Sequence, residues 1–478
     1  MSRPPATSAP RRPRTDRMTT VWLVAAVVTA ALAVGARDVL PQALWTTIHV
    51  VTLGVLTNAI LQWSWYFARA LLHLPADDPR SGRDAVRRSV AFNLALVGLV
   101  ASMWTAAVWG TVVFAGAVGA VIGWHGFAML RAARGRFASR FAVVVRFYVT
   151  ASAFLVLGCV LAGFLTVAMF DAGAPGWLLA ARDDLTLAHA VVNVGGWVGL
   201  SIAGTIVTLG PTMLRTKLAP DAVARSLRAL PVLAGGIGVA GLAASLGWLP
   251  GVGIGLLAFA AGLADGVAVP LVRAARAAGV RGYAPWTMAS GLGWTVLCLV
   301  AVAVNAFGAA DGAALRVADL PWLALLGAGG VGQVFIGALS YLMPVVIGGG
   351  PAVMRRGMAV LETAAPTRVA LRNAAVALLA LTTVTGSELR PVLWGLVVAC
   401  FAADVVLFAR SGATQGRARR ERLAALGPET PGPAASGLMP ARLTTTAPAA
   451  STVPTASTAP TGPTAPSDDS TTPEPPRD

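Results

Sequence analysis

The chain contains twelve apolar runs that are each long enough to cross a lipid bilayer as a helix, since about 20 such residues suffice. Backbone polar groups in lipid must be paired internally, so isolated runs of this length fold as helices. The sequence therefore predicts an all-α polytopic bundle of about 12 transmembrane helices. The predicted spans are residues 20–40, 44–73, 88–108, 110–131, 142–170, 184–214, 227–248, 251–274, 284–307, 321–347, 366–386 and 389–410.

Composition excludes the other broad classes of protein. The chain is 56% hydrophobic and 12% charged, and a soluble domain carries about twice that charge. A soluble enzyme, a disordered protein and a disulfide-stapled secreted domain are therefore excluded. The three cysteines all lie inside apolar runs without a C-x-x-C spacing, so they predict neither a disulfide framework nor a zinc site. The first apolar run is too long for a signal peptide.

Basic residues occupy every second loop, and the intervening loops are short or acidic. This pattern supports twelve crossings and places both termini in the cytoplasm, with the protein in the cell membrane. It also explains the net charge of +16 as a topology signal. The predicted partner is thus the bilayer, and nucleic acid is not expected. The basic clusters are residues 3–17, 80–88, 131–140, 215–228, 273–281, 355–368 and 410–420.

The chain divides into three predicted regions. Residues 1–19, rich in Pro and Arg, predict a disordered cytoplasmic N-terminus, and residues 20–410 form the transmembrane domain. Residues 411–478 are rich in Pro, Thr, Ala and Ser and predict a disordered cytoplasmic tail, because they cannot bury enough apolar surface to fold. A weak six-plus-six symmetry of spans would favour a transporter.

Two histidines lie at matching depths in two spans. His49 and His189 are each about five residues inside the outer end of spans two and six, which is roughly 8 Å below the boundary at a rise of about 1.5 Å per residue. Two imidazoles at one depth suit a heme or a copper ion. Alternatively, each ring hydrogen-bonds a neighbouring helix. His125, in span four, is a reserve candidate ligand.

The neighbours of His189 add to the cofactor hypothesis. Asn193 and Gly196 follow it at i+4 and i+7 and so share its helix face. Asn193 is predicted to contact the cofactor, and a glycine on that face would let a flat macrocycle approach the backbone.

Few charged residues lie inside the spans. Asp265 and Asp404 interrupt apolar runs, and Arg372 lies near a predicted cytoplasmic end, from which it can snorkel. Asp265 predicts either a proton or cation site, as in a secondary transporter, or an ion pair with an arginine. A third hypothesis is a structural or assembly subunit without a cofactor.

Gly236, Gly238 and Gly241 spell G-x-G-x-x-G inside a span. This motif binds dinucleotides only between a strand and a helix. Close helix packing through small residues is the better interpretation.

Three segments carry a family resemblance. Residues 188–199 read AHAVVNVGGWVG, residues 48–54 read IHVVTLG and residues 337–344 read GALSYLMP. They resemble segments of actinobacterial membrane proteins that are distant relatives of heme-copper oxidase subunit I and of the heme- and copper-containing NnrS proteins. The resemblance covers about residues 20–410. It implies a heme-copper oxidase subunit I-like bundle that carries heme or copper.

The chain also departs from that pattern. It has four histidines, and none lies in spans seven to twelve, whereas an oxygen reductase needs about six for two hemes and a copper ion. The binuclear centre is therefore excluded. What remains is one heme or copper site with His49 and His189 as ligands. The resemblance implies electron transfer or nitrogen-oxide and copper metabolism, with a redox partner or a copper-containing oxidoreductase.

Overall fold

The computed structural model describes residues 16–75, 78, 80, 82–136, 139 and 142–425. Within these residues the chain forms fourteen helices, joined by short turns. They are α1 (Asp16–Gly35), α2 (Ala43–Leu71), α3 (Arg83–Trp104), α4 (Val108–Ala133), α5 (Ala142–Phe170), α6 (Gly176–Ala180), α7 (Arg182–Met213), α8 (Ala222–Ser245), α9 (Leu249–Ala278), α10 (Tyr283–Gly308), α11 (Gly312–Ile347), α12 (Pro351–Leu361), α13 (Ala365–Thr385) and α14 (Arg390–Ala425).

Eleven of the described helices are long and apolar enough to cross a membrane. The protein is therefore an all-α, multi-pass membrane protein, and its spans contact the bilayer. The sequence predicts twelve spans. The difference is α13, which corresponds to the predicted span 366–386 and is not one of these candidate spans. Two arginines and an asparagine lie in its first half, namely Arg368, Arg372 and Asn373.

The helices pack mainly against their neighbours in sequence. α4 lies against α5, α8 against α9, and α10 against α11, while α1 contacts both α2 and α14. The α8–α9 contact is close because a Cβ on Gly236 would lie 2.7 Å from the Gly255 carbonyl oxygen. This glycine of the G-x-G-x-x-G motif therefore serves helix packing, as predicted.

Four spans contain a π-helical segment, in which backbone hydrogen bonds reach one residue further than in an α-helix. The three longest lie in α2, α7 and α11, which correspond to the predicted spans two, six and ten. They therefore recur every fourth span, and this period does not match two halves of six spans. The segments are Val50–Thr57, Val192–Gly199, Ala264–Ala268 and Leu326–Gly332.

The last helix extends beyond the predicted boundary at residue 410, so residues 411–425 are helical and do not belong to an unstructured tail. The side chains of this extension bind the end of α11. The Gln415 amide donates to the carbonyls of Pro344 and Gly348 at 2.6 and 3.0 Å, and Arg419 donates to that of Ile347. These bonds satisfy carbonyls that a helix end leaves unpaired. Residues 1–15 and 426–478 of the predicted terminal regions lie outside the described residues.

Candidate functional site

The rings of His49 and His189 are neighbours across the contact between α2 and α7. Their centroids are 6.3 Å apart and their planes differ by 28°. Both side chains are half-buried. The structure thus brings together the two histidines that the sequence placed at one depth, and neither ring is isolated on the surface.

Each imidazole is held by a backbone carbonyl through its Nδ1 atom. His49 Nδ1 lies 2.8 Å from the Trp45 carbonyl oxygen, and His189 Nδ1 lies 3.0 Å from that of Gly158. A carbonyl can only accept, so both Nδ1 atoms carry the proton and both Nε2 atoms keep a lone pair. An Nδ1–H bond to a carbonyl is also the usual outer-shell contact of a histidine that binds a metal through its other nitrogen.

Asn193 supports His189 from the next helical turn. Its amide nitrogen donates to the His189 carbonyl at 2.9 Å and lies 3.2 and 3.3 Å from the two ring nitrogens. Its Oδ1 atom is buried and has no hydrogen-bond partner among the described residues. Asn193 therefore positions the ring of His189, and its free oxygen faces Gly158 of α5.

Two tryptophans complete the surroundings of the pair. The Trp45 ring stacks on His49 with centroids 4.1 Å apart and planes 17° apart. Eight residues below each histidine, Trp197 Nε1 donates to Thr57 Oγ1 at 2.9 Å, and this buried bond joins the two π segments. Sequence reasoning missed both tryptophans, although the i to i+4 spacing of Trp45 and His49 places them on one helix face.

The open face expected beside His189 is occupied. A Cβ on Gly196 would lie 2.5 Å from the Phe154 side chain of α5. Phe154 therefore fills the space in which a macrocycle was expected to approach the backbone, and that part of the prediction is wrong.

His125 lies away from the pair. Its Nε2 atom lies 3.0 Å from the Ser64 hydroxyl, and Ser64 follows His49 by fifteen residues, or about 20 Å along α2. The structure therefore does not bring the reserve ligand to the site of His49 and His189.

Asp265, the acid of the transporter hypothesis, lies at the periphery. Its side chain is 55% exposed and forms an ion pair with Arg225, which also binds Asp221. Of the two interpretations of Asp265, the ion pair is the one that the structure contains.

A buried charged network between α10, α11, α13 and α14 was not foreseen. The Asp404 carboxylate contacts Arg368, receives a bond from Arg372 at 2.6 Å and accepts from the Tyr283 hydroxyl at 2.6 Å. Arg372 also donates to Gln333 Oε1 at 3.2 Å. Arg372 and Asp404 are each 1% exposed, so the predicted snorkelling of Arg372 is wrong. It remains in the interior because a carboxylate on the neighbouring helix neutralises it.

No family model matches the chain, and no curated protein matches it either. These comparisons identify no family, and what is shown of the fold is a helical membrane bundle. The described residues also contain no group of three or more His, Cys, Asp or Glu side chains arranged to hold a metal ion. Within them, the site at His49 and His189 offers two nitrogen ligands and no more of these types.

Proposed function

We propose that His49 and His189 together ligate a heme iron or a copper ion, and that the protein transfers electrons within the membrane. The observation that carries this proposal is the paired geometry of the two rings. A bond of about 2.1 Å from each nitrogen to one metal ion, plus half of each ring, puts two opposed imidazole centroids about 6 Å apart. The separation of 6.3 Å leaves room for one ion, and binding requires both Nε2 atoms, whose lone pairs lie in the ring planes, to point at it.

The donor set favours heme over an isolated copper ion. Two imidazoles complete the coordination of a heme iron, whose macrocycle supplies the other four nitrogens, whereas a copper ion would lack further ligands of the usual types among the described residues. Because Phe154 fills the space beside Gly196, a macrocycle would have to lie away from that face. When bound, such a group supplies a reversible one-electron couple.

The chain itself fixes the state of both ligands. The carbonyls of Trp45 and Gly158 hold the Nδ1 protons, so both Nε2 atoms remain basic. The Trp45 ring restrains the plane of His49 by stacking, and Asn193 restrains His189. Both ligands thus have fixed tautomers, which lowers the cost of ordering them around an ion.

Visible absorption of the purified full-length protein tests the proposal. We expect a Soret band that disappears in His49→Ala and in His189→Ala and persists in His73→Ala, which removes an exposed histidine at the end of α2. The band should also persist in His125→Ala, which distinguishes ligation by His49 and His189 from ligation by His125. A copper ion would give no Soret band and one copper per chain by metal analysis, lost in the same two variants.

A protein without the band and without bound copper would contradict the proposal. The cofactor-free structural role would then be the better account of the bundle. Uptake activity that Asp265→Asn abolishes would instead support transport, although the exposed ion pair of Asp265 with Arg225 does not favour it.

A further inference from the structure

A second polar cluster lies among α2, α3 and α4, at the level of His125. Arg88 Cζ lies 4.8 Å from the centroid of the Trp65 ring, and the rings of Trp65 and His125 are 6.2 Å apart. Arg88 also interacts electrostatically with His125. Arg88, Trp65 and His125 are only 2%, 4% and 1% exposed. The three side chains therefore form one buried group.

Each member of this group has a buried nitrogen without a hydrogen-bond partner among the described residues. The atoms are Arg88 Nη1, Trp65 Nε1 and His125 Nδ1. The first two can only donate. In the tautomer in which the Ser64 hydroxyl donates to His125 Nε2, the Nδ1 atom also carries a proton. The cluster then presents three donors and no acceptor, whereas a water molecule accepts two hydrogen bonds at most.

Arg88 has no carboxylate in direct contact among the described residues. It forms no ion pair with any of them: Asp84, one turn earlier, acts on it only through space. Its guanidinium also lies 5.6 Å from the Trp124 ring centroid, and its Nη2 atom donates to the Arg80 carbonyl at 3.0 Å. Asp78, in the same loop, forms an ion pair with Arg80 at 2.6 Å. A guanidinium buried without a counter-charge is strongly unfavourable. An anion in contact with the group would supply both a counter-charge for Arg88 and an acceptor for the three buried donors.

We infer that Arg88, Trp65 and His125 bind a small monovalent anion of about the size of chloride. The three donor atoms are almost completely shielded from solvent, which favours a small ion that can be stripped of water over the larger, doubly charged phosphate. The basic residues of segment 80–88, which leads into α3, raise the local concentration of anions near this end of the bundle. This site is separate from His49 and His189, so neither proposal depends on the other.

Binding of radioactive chloride to the full-length protein in nanodiscs of zwitterionic lipid tests the inference. Gluconate serves as the inert replacement anion. We expect one chloride per chain in the wild type and in Arg87→Gln, a matched control whose side chain is 65% exposed and paired with Asp84. Arg88→Gln should lose binding. Trp65→Phe keeps the ring and removes one donor, so it should weaken binding about tenfold.

Trp65→Phe also keeps the test decisive if Arg88→Gln does not fold. Chloride should raise the melting temperature of the wild type above its value in gluconate, and this difference should shrink in Trp65→Phe. Absence of chloride binding in the wild type, or equal binding in Trp65→Phe, overturns the inference. Displacement of chloride by inorganic phosphate, or by anionic lipid in the nanodisc, would assign the site to a phosphate group and would likewise overturn it.

Discussion

At the scale of single residues, the contact between Gly158 and Asn193 determines how His189 is held. A Cβ on Gly158 would lie 1.9 Å from Asn193 Oδ1, so Gly158→Ala must displace the amide that restrains the ring. We expect a loss of stability of about 1–3 kcal/mol, as for other overpacked interiors. Thermal unfolding in detergent measures it. Occupancy of the proposed cofactor, read from the Soret band, should fall as well.

Gly163→Ala is the matched control for that substitution. Gly163 lies on the same helix, and a Cβ there would meet nothing within 4 Å. It should unfold at or above the wild-type temperature, since alanine favours a helix over glycine. Equal losses in the two variants would show that the contact with Asn193 is not the cause.

The buried carboxylate of Asp404 is a second residue with a predicted effect. Asp404→Asn leaves Arg368 and Arg372 without their shared counter-charge, which should destabilise the protein by about 3–5 kcal/mol. Asp265→Asn breaks an exposed ion pair and should change the unfolding temperature little. Adding Arg372→Gln to Asp404→Asn should restore part of the stability. If Asp404→Asn unfolds like the wild type, the network does not stabilise the bundle.

At the scale of helices, the π segments of α2 and α7 are linked by one hydrogen bond. Trp197 donates to Thr57, and the Thr57 hydroxyl donates to the Thr52 carbonyl five residues earlier in its own helix. Thr57→Val leaves the Trp197 N–H buried without an acceptor and should cost about 1–3 kcal/mol. Trp197→Phe leaves Thr57 its carbonyl partner, but Trp197 is only 2% exposed, so the smaller ring leaves a cavity that adds to the cost of this variant.

A double-mutant cycle on Thr57 and Trp197 measures the link directly. We expect the combined variant to be more stable than the sum of the two single losses predicts, with a coupling of about 0.5–1.5 kcal/mol from thermal unfolding. Strict additivity would mean that the two π segments are not coupled through this bond.

At the scale of the whole molecule, the sequence predicts the positions of the helices better than the side-chain contacts between them. Apolar runs locate every long helix because the bilayer imposes a minimum length. The equal depth of His49 and His189 in their spans also agrees with their proximity in the structure. Periodicity could not reveal that Arg372 faces Asp404, because helix rotation depends on neighbours that are distant in sequence. The filling of the Gly196 face by Phe154 and the helical course of residues 411–425 depend on such contacts too.

Whether α13 crosses the membrane decides the topology of the last third of the chain. Ala278 ends α9, and Ser387 lies in the turn between α13 and α14. Of the four helices between these two exposed positions, α12 has only 11 residues, which leaves α10, α11 and α13 as the ones long enough to cross. If all three cross, the positions lie on opposite sides; if α13 does not cross, they lie on the same side. The ion pair between Arg372 and Asp404 inside the bundle favours a crossing.

Single-cysteine labelling in whole cells measures on which side of the membrane residues 278 and 387 lie. In a variant whose three native cysteines are replaced by alanine, we expect a membrane-impermeant maleimide to label Ser387→Cys in intact cells. Ala278→Cys should react only after permeabilisation, because the basic loops are expected on the cytoplasmic side. The reverse pattern would invert the predicted orientation while keeping twelve crossings. Labelling of both positions from one side would reduce the crossings to eleven and would place the C-terminus on the side opposite to the N-terminus.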